Sequence, residues 1–452
     1  MDVSCYATGQ LTPDHIVFRS FQSNPSVISL KFNTINLEHG LRFVPTEAFK
    51  HSDKLERLKL SQSKLGVLKR RSFHDLPRLT LLSLDSNGIT ALEEESIASL
   101  PHLRTLELGH NQLQVILAKT LVDLPALTHL FMERNEIRRI EDFAFAELTT
   151  VEELDLSHND IQNLTDQTFK GLSKVTRVDL FRNKIQKLDA RVFKTMPALV
   201  ELDLKYNGIT DVDPLVFDGL PQLRRLYLSH NHLHTLPAHL FMGAPNLVAV
   251  DLSQNDLIAL TWRVVQDLRK INAESFDLSL IGNRFVCDCR LAWMQRLQKA
   301  SRSDSLRREL RHVKCRFKEP SASPNGSSLR SGTAVTALSL KELGCPEEHV
   351  LPPWQSGKML DRHGNAAKAV PTTSESLVAV NDADGRQRYG ERQFPVRYRR
   401  IEVNAVEWAI THQRAAPGNR EKNCAAASCC FMYEAWLPLL LYFSTTLAQA
   451  VR

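Results

Sequence analysis

The stretch Leu199-Val200-Glu201-Leu202-Asp203-Leu204-Lys205-Tyr206-Asn207-Gly208-Ile209 decides the fold. Leu202 and Leu204 alternate as on a strand, so both point to one buried face. Leu199 and Ile209 bury beside them where the chain enters and leaves that strand. Asn207 turns inward. Its amide is expected to bond the backbone of adjacent coils, because a buried amide left unpaired costs about 1–3 kcal/mol. Ten residues further on stands Phe217. Outward from this unit the same pattern returns every 24 residues, with its asparagine at Asn87, Asn111, Asn135, Asn159, Asn183, Asn207, Asn231 and Asn255. Ser63 holds that place one period earlier, and Asn283 and Ile35 hold it after longer steps of 28 residues. A second apolar column follows it: Phe73, Ile97, Leu121, Phe145, Phe169, Phe193, Phe217, Phe241 and Val265. No single unit of this kind buries its own core, so neighbours must stack. Eleven candidate units, the first poorly matched, predict a curved solenoid. Its concave side is a parallel sheet on the order of 50 Å long at the usual strand spacing.

Composition sets the surroundings of this body. The 452 residues are 43% hydrophobic and 24% charged, so most of the chain should fold. The net charge of +6 is uneven: residues 1–283 carry a net of −4 and residues 284–345 a net of +8. No cysteine lies between Cys5 and Cys287, whereas Cys287, Cys289, Cys315 and Cys345 cluster just after the repeats. That clustering suggests disulfides and an oxidising compartment. Zinc is the competing reading, but Cys-x-Cys followed by gaps of 26 and 30 does not match the usual zinc pairs.

The 24-residue form with its convex phenylalanine resembles the repeats of extracellular leucine-rich-repeat proteins. The resemblance implies an α/β solenoid, a horseshoe of about eleven repeats with a parallel concave sheet and a disulfide-bonded C-terminal cap. The run Asn283-Arg284-Phe285-Val286-Cys287-Asp288-Cys289-Arg290-Leu291-Ala292-Trp293 resembles the start of that family's cysteine-rich cap. Four cysteines allow three pairings, and the family's pattern implies Cys287–Cys315 and Cys289–Cys345. Residues 291–297 read as a short helix with Trp293 packed on the last coil. The expected organisation is an incomplete N-terminal flank at 1–26, the solenoid at 27–282 and the cap at 283–345. A stalk at 346–423 and a hydrophobic tail at 424–452 follow. The start Met1-Asp2-Val3-Ser4-Cys5-Tyr6 has neither the basic residues nor the apolar run of a secretion signal. Either the protein is cytosolic or the N-terminus is incomplete, and the secreted character of the rest favours the second.

Past Cys345 the repeat is lost. Pro352-Pro353, Thr372-Thr373-Ser374 and Asn381-Asp382-Ala383-Asp384-Gly385 read as disordered stalk. Arg397-Tyr398-Arg399-Arg400 resembles a furin-type cleavage site, although a solvated basic linker is the plainer reading. Small residues at Asn423-Cys424-Ala425, a short spacer and the apolar run 435–451 fit a glycosylphosphatidylinositol attachment signal, with Asn423 as the attachment residue. The rival is a transmembrane helix, for which seventeen residues reach only about 26 Å. Acceptor triplets for N-glycans begin at Asn163 and Asn325.

No nucleophile elbow, zinc-protease, Walker or dinucleotide motif occurs, so the chain does not read as an enzyme, and no cofactor or metal is expected. In His230-Asn231-His232-Leu233-His234 the asparagine belongs to the repeat and the histidines fill variable positions. On the concave face, Asp155, Asp179 and Asp203 fall in one column. They read as solvated filler or as a cation-seeking strip. Aromatic residues at surface positions, Phe131, Phe181, Tyr206 and Tyr227, have Arg134, Arg177, Arg182 and Arg225 nearby. Aromatic plus arginine is the composition of protein contacts, so these eight residues are the candidate partner-binding set. The ligand would be a protein, a second copy of the chain included. The basic cap (Arg302, Arg307, Arg308, Arg311, Lys314, Arg316, Lys318) is a candidate surface for sulfated glycans, anionic headgroups or the acidic solenoid of another copy. Nucleic acid is not an expected partner. The resemblance implies an adhesion or recognition protein on the outer face of the plasma membrane, held there by its lipid anchor. The alternatives are a secreted or single-pass form, and a Toll-like innate-immune or ligand-sequestering ectodomain without a signalling domain.

Overall fold

The computed structural model describes residues 2–7, 11–15, 18, 27–34, 40–49, 52–317, 332–346 and 429–432. They belong to one unit formed by Met1–Leu351 and Cys424–Arg452. The second unit, Pro352–Asn423, lies outside the described residues, and with it the expected stalk.

The unit is a stack of coils, each giving one strand to a single sheet. In chain order the strands are β1 (Asp2–Ala7), β2 (Ser29–Thr34), β3 (Arg57–Ser61), β4 (Leu81–Ser83), β5 (Thr105–Glu107), β6 (His129–Phe131) and β7 (Glu153–Asp155). There follow β8 (Arg177–Asp179), β9 (Glu201–Asp203), β10 (Arg225–Tyr227), β11 (Ala249–Asp251) and β12 (Asp277–Ser279). Each pairs in parallel with the next, and the register repeats the sequence period: Leu202 sits beside Leu226, and Asp203 beside Tyr227. The flank at 1–26 therefore contributes a strand that the repeat pattern did not show, since β1 pairs with β2 from Asp2↔Ser29 onward.

The buried columns account for the packing. Leu202, Leu204, Leu199 and Ile209 are fully buried, as are Phe145, Phe169, Phe193, Phe217 and Phe241 on the convex side. The rings of Phe217 and Phe241 stack at 6.3 Å. Burying each such side chain contributes roughly 1.5–3 kcal/mol. The asparagine column is a continuous ladder. The amide of Asn207 donates to the carbonyls of Leu180 and Leu204 at 3.0 and 3.1 Å, and its oxygen accepts the N–H of Ile185 at 3.1 Å. Close coil spacing also fixes Gly171, whose φ is +102° and where a Cβ would lie 2.2 Å from the carbonyl oxygen of Phe145.

The last coil is closed by a cap of two helices, α1 (Trp293–Ala300) and α2 (Asp304–His312), and a small antiparallel pair, β13 (Lys314–Cys315) with β14 (Thr333–Ala334). Trp293 is buried and its indole N–H donates to the Leu260 carbonyl at 2.7 Å. The disulfides are Cys287–Cys315 and Cys289–Cys345. At the opposite edge β15 (Cys429–Met432) pairs antiparallel with β1. Those four residues fall in the spacer of the expected attachment signal, while Asn423 and the apolar run 435–451 lie outside the described residues. Among the described residues, no helix is long and apolar enough to cross a membrane.

Candidate functional site

After each of the strands β3 to β11 the residue directly before the ladder position lies in the left-handed region. Arg134, His158, Arg182, Tyr206 and His230 have φ of 54–56°. This backbone is uncommon for residues other than glycine. It is held here by a hydrogen bond to the next coil: the Arg182 N–H donates to the Lys205 carbonyl at 3.0 Å and the Tyr206 N–H to Ser229 at 3.1 Å. Since the conformation repeats, the side chains in this slot form a rail along one rim of the sheet.

Along that rail and the slot just before it the rings make a ladder. His158 meets Phe181 edge-on at 5.2 Å, Phe181 meets Tyr206 edge-on at 5.3 Å, and Tyr206 stacks on His230 at 4.0 Å. The Arg182 guanidinium sits 5.4 Å from both the Phe181 and Tyr206 centroids. The Lys205 ammonium lies 4.6 Å from the Tyr227 ring and 2.9 Å from Asp203. Four of the eight sequence-predicted residues, Phe181, Arg182, Tyr206 and Tyr227, thus fall in one cluster. Their exposure differs from the expectation of freely displayed rings. Tyr206 is 42% exposed, while Phe131, Phe181 and Tyr227 are half-buried: Phe181 lies between the rings of the adjacent coils, Tyr227 under Lys205 and Phe131 against His129. Sequence reasoning missed His158, His230 and Lys205, although their slot in the period was the available signal.

Arg177 and Arg225 do a different job. Arg225 pairs with Glu201 at 2.6 Å, and Arg177 lies 3.6–3.8 Å from Glu153, Asp179 and Glu201. Both are tied into an acidic sheet rather than directed at a ligand alone. Phe131 sits two coils before Phe181 and packs against His129 at 6.1 Å. Arg134 occupies the rail two coils before Arg182, half-buried. Phe131 and Arg134 therefore lie one coil before His158, where the ring ladder begins, and two coils before Phe181 and Arg182.

The acidic column has a local structural task. Asp155, Asp179, Asp203 and Asp251 each accept the N–H two residues on, at 2.9–3.0 Å, closing the turn after the strand. Asp155, Asp179 and Asp203 also stand side by side in register. Burial, and then the charges of Asp155 and Asp203, push the Asp179 carboxyl up to about 7. Burial raises Asp203 as well, against the pull of Lys205. Among the described residues, no group of three or more His, Cys, Asp or Glu side chains is placed to hold a metal ion.

Comparison with protein families matches this repeat architecture directly: the "Leucine rich repeat" family matches residues 33–89, 77–137, 133–185, 173–233 and 225–273, more than half of the chain. The chain belongs to the leucine-rich-repeat family. Such solenoids are typically protein-binding scaffolds without catalytic machinery. No curated protein matches the sequence. Among solved structures, the leucine-rich repeat domain of APL1B is 25% identical with a TM-score of 0.45, over 60% of this chain and 72% of that one. An internalin (inlF) from Listeria monocytogenes is 16% identical with a TM-score of 0.46, over 65% and 75%. The chain in a TLR13–ssRNA13 complex is 19% identical with a TM-score of 0.39, over 69% of this chain and 53% of that one. The leucine-rich-repeat chain described here thus spans about half the length of that last relative.

Proposed function

We propose that this leucine-rich-repeat protein is a cell-surface adhesion or recognition protein, not an enzyme, that binds a protein through its concave face. The observation that carries this reading is the ring ladder from His158 to His230 with Arg182 set between Phe181 and Tyr206. Half-buried rings held by their neighbours lose little side-chain freedom on binding, and aromatic and arginine anchors of this kind are worth about 2 kcal/mol or more each in an interface. Phe131, Arg134, Arg177, Arg225 and Tyr227 extend the surface along the sheet. A second copy of the chain is the favoured partner, since the solenoid is acidic and the cap basic. The organisation is similar to that of connectin, a lipid-anchored adhesion protein of insects. On this reading Asn423 carries the lipid, and Asn163, which is exposed, and Asn325, outside the described residues, carry glycans.

Cells expressing the chain should aggregate with one another. Arg182→Ala with Tyr206→Ala should weaken aggregation at least tenfold while surface levels hold. Treatment with a phospholipase specific for the lipid anchor should strip the protein from the cells. Aggregation that needs non-expressing cells replaces the homophilic partner by another ligand. Undiminished aggregation by the double variant removes the concave face from the reading.

A further inference from the structure

The cap carries a second surface, separate from the ring ladder. Where the last coil meets the cap lies an open cleft of about 470 Å³, lined by residues of 280–285 on one wall and by His312, Lys314, Arg316 and Gly332 on the other. Among the described residues its lining contains no carboxylate, and the nearby Glu309 carboxylate is engaged by the Leu280 and Ile281 N–H groups. Strand alternation builds the cationic wall: Val313 and Cys315 are buried, so Lys314 and Arg316 both face out, about 6.6 Å apart along the strand. The backbone of Arg316 is fixed on both sides, its N–H donating to Phe285 at 2.8 Å and its carbonyl accepting from Cys287 at 2.9 Å. Gly332 keeps the floor low, since a Cβ there would stand 3.3 Å from Lys314 Cβ and 3.8 Å from Arg316 Cγ. The cationic surface continues onto α2, where Arg308, Arg311 and His312 are exposed at three- and four-residue spacing and so share one face. Among the described residues, no ion pair joins Arg308, Arg311, Lys314 or Arg316 to a carboxylate, in contrast to Arg307, which pairs with Asp304, and Arg284, which pairs with Asp256 at 2.8 Å.

We propose that this cleft and the adjoining face of α2 bind a sulfated polysaccharide of the glycosaminoglycan class. A row of unpaired cations on two rigid elements, joined through cystine-fixed backbone, matches a linear polymer with sulfates repeated along its length. The exposed Ile281 beside the cationic wall offers an apolar contact for a sugar ring. An anionic headgroup meets only a point of such a row, whereas a chain follows it from Arg316 to Arg308. The site lies apart from the ring ladder and shares only the basic cap with the homophilic contact proposed above.

The test uses the full chain and heparin as the probe. The chain should bind immobilised heparin at 0.15 M salt, a condition under which loosely screened surface charge counts for little. Selectively desulfated heparin should bind at least tenfold more weakly. The variant Arg308→Ala, Arg311→Ala, Lys314→Ala, Arg316→Ala should lose at least tenfold in affinity with an unchanged melting temperature. The charge-keeping variant Lys314→Arg with Arg316→Lys should bind as the parent does. Arg182→Ala with Tyr206→Ala should leave heparin binding intact, which separates this site from the concave face. The proposal is overturned if desulfation or the four alanines leave affinity unchanged. It is equally overturned if phosphatidylserine vesicles bind and heparin does not, or if the four alanines abolish only self-association.

Discussion

At the scale of single residues, the ladder asparagines join the coils. Asn207 holds one N–H and two carbonyls on two adjacent coils. Its loss strands the Ile185 N–H, while the Leu180 and Leu204 carbonyls keep the bonds they accept from Asn183 and Asn231. Asn207→Ala should therefore cost about 1–3 kcal/mol, read from urea denaturation followed by circular dichroism. A cost under about 0.5 kcal/mol would show that water replaces the amide and that the ladder is passive. Ser63 shows the natural contrast. It takes the ladder place and is 3% exposed, yet its hydroxyl oxygen finds no partner among the described residues. The ladder was legible in the sequence because only asparagine supplies a donor pair and an acceptor at that spot, so residue type repeats with the period. The rail one residue before it was not. Its left-handed backbone is held by a main-chain bond to the next coil, which any residue with an N–H can make. Arginine, tyrosine, histidine and glutamine alternate there without a consensus, and the rings of His158 and His230 passed as variable filler.

At the scale of elements, the ends of the sheet matter most, because an open parallel edge leaves N–H groups without acceptors. The cap closes its edge with one side chain: a Glu309 carboxylate oxygen accepts the N–H of Leu280 at 2.7 Å, replacing the carbonyl of a further coil, and of Ile281 at 3.0 Å, replacing the aspartate of the other coils. Ser303 accepts from Leu306 as the N-cap of α2 and donates to the Phe276 carbonyl, fixing that helix on the last coil. Glu309→Ala should destabilise the protein by about 1–3 kcal/mol and promote aggregation through the bared edge, whereas Glu309→Gln should restore most of the loss by keeping an acceptor. The comparison is made by thermal unfolding and light scattering, and equal behaviour of the two variants would assign Glu309 a charge role instead. The sequence showed the cap through its cysteines and Trp293, but not this plug, since a single glutamate in an arginine-rich helix carries no signature. At the other edge, β1 has no leucine consensus, and its place becomes visible only through its pairing with β2 and β15.

At the scale of the whole molecule, the concave sheet stores charge. Asp155, Asp179 and Asp203 line up across three coils, with Arg177 facing Asp179 and Glu201, and Lys205 facing Asp203. The cations do not fully offset the burial and mutual repulsion of the carboxylates, so Asp179 titrates near 7 in the folded chain instead of near 3.8. A raised carboxyl pKa means that the folded state binds this proton more tightly than the unfolded chain. Stability from this group is fully present below about pH 4 and is lost as pH rises through about 7. The protein should accordingly become more stable between pH 8 and pH 5. The gain is on the order of 2 kcal/mol, about half of what the bare shift implies, because the carboxylate is partly open to solvent. Asp179→Asn keeps an oxygen to accept the Phe181 N–H while removing the charge. It should raise the urea midpoint at pH 8 and flatten its dependence between pH 5 and 8. A parent midpoint that stays level or falls on acidification over that range would mean that water enters the strip and screens it. Arg177 and Arg225 would then be free to leave their carboxylates for a partner at no electrostatic cost, and the same titration repeated on the partner-bound protein reads that exchange directly.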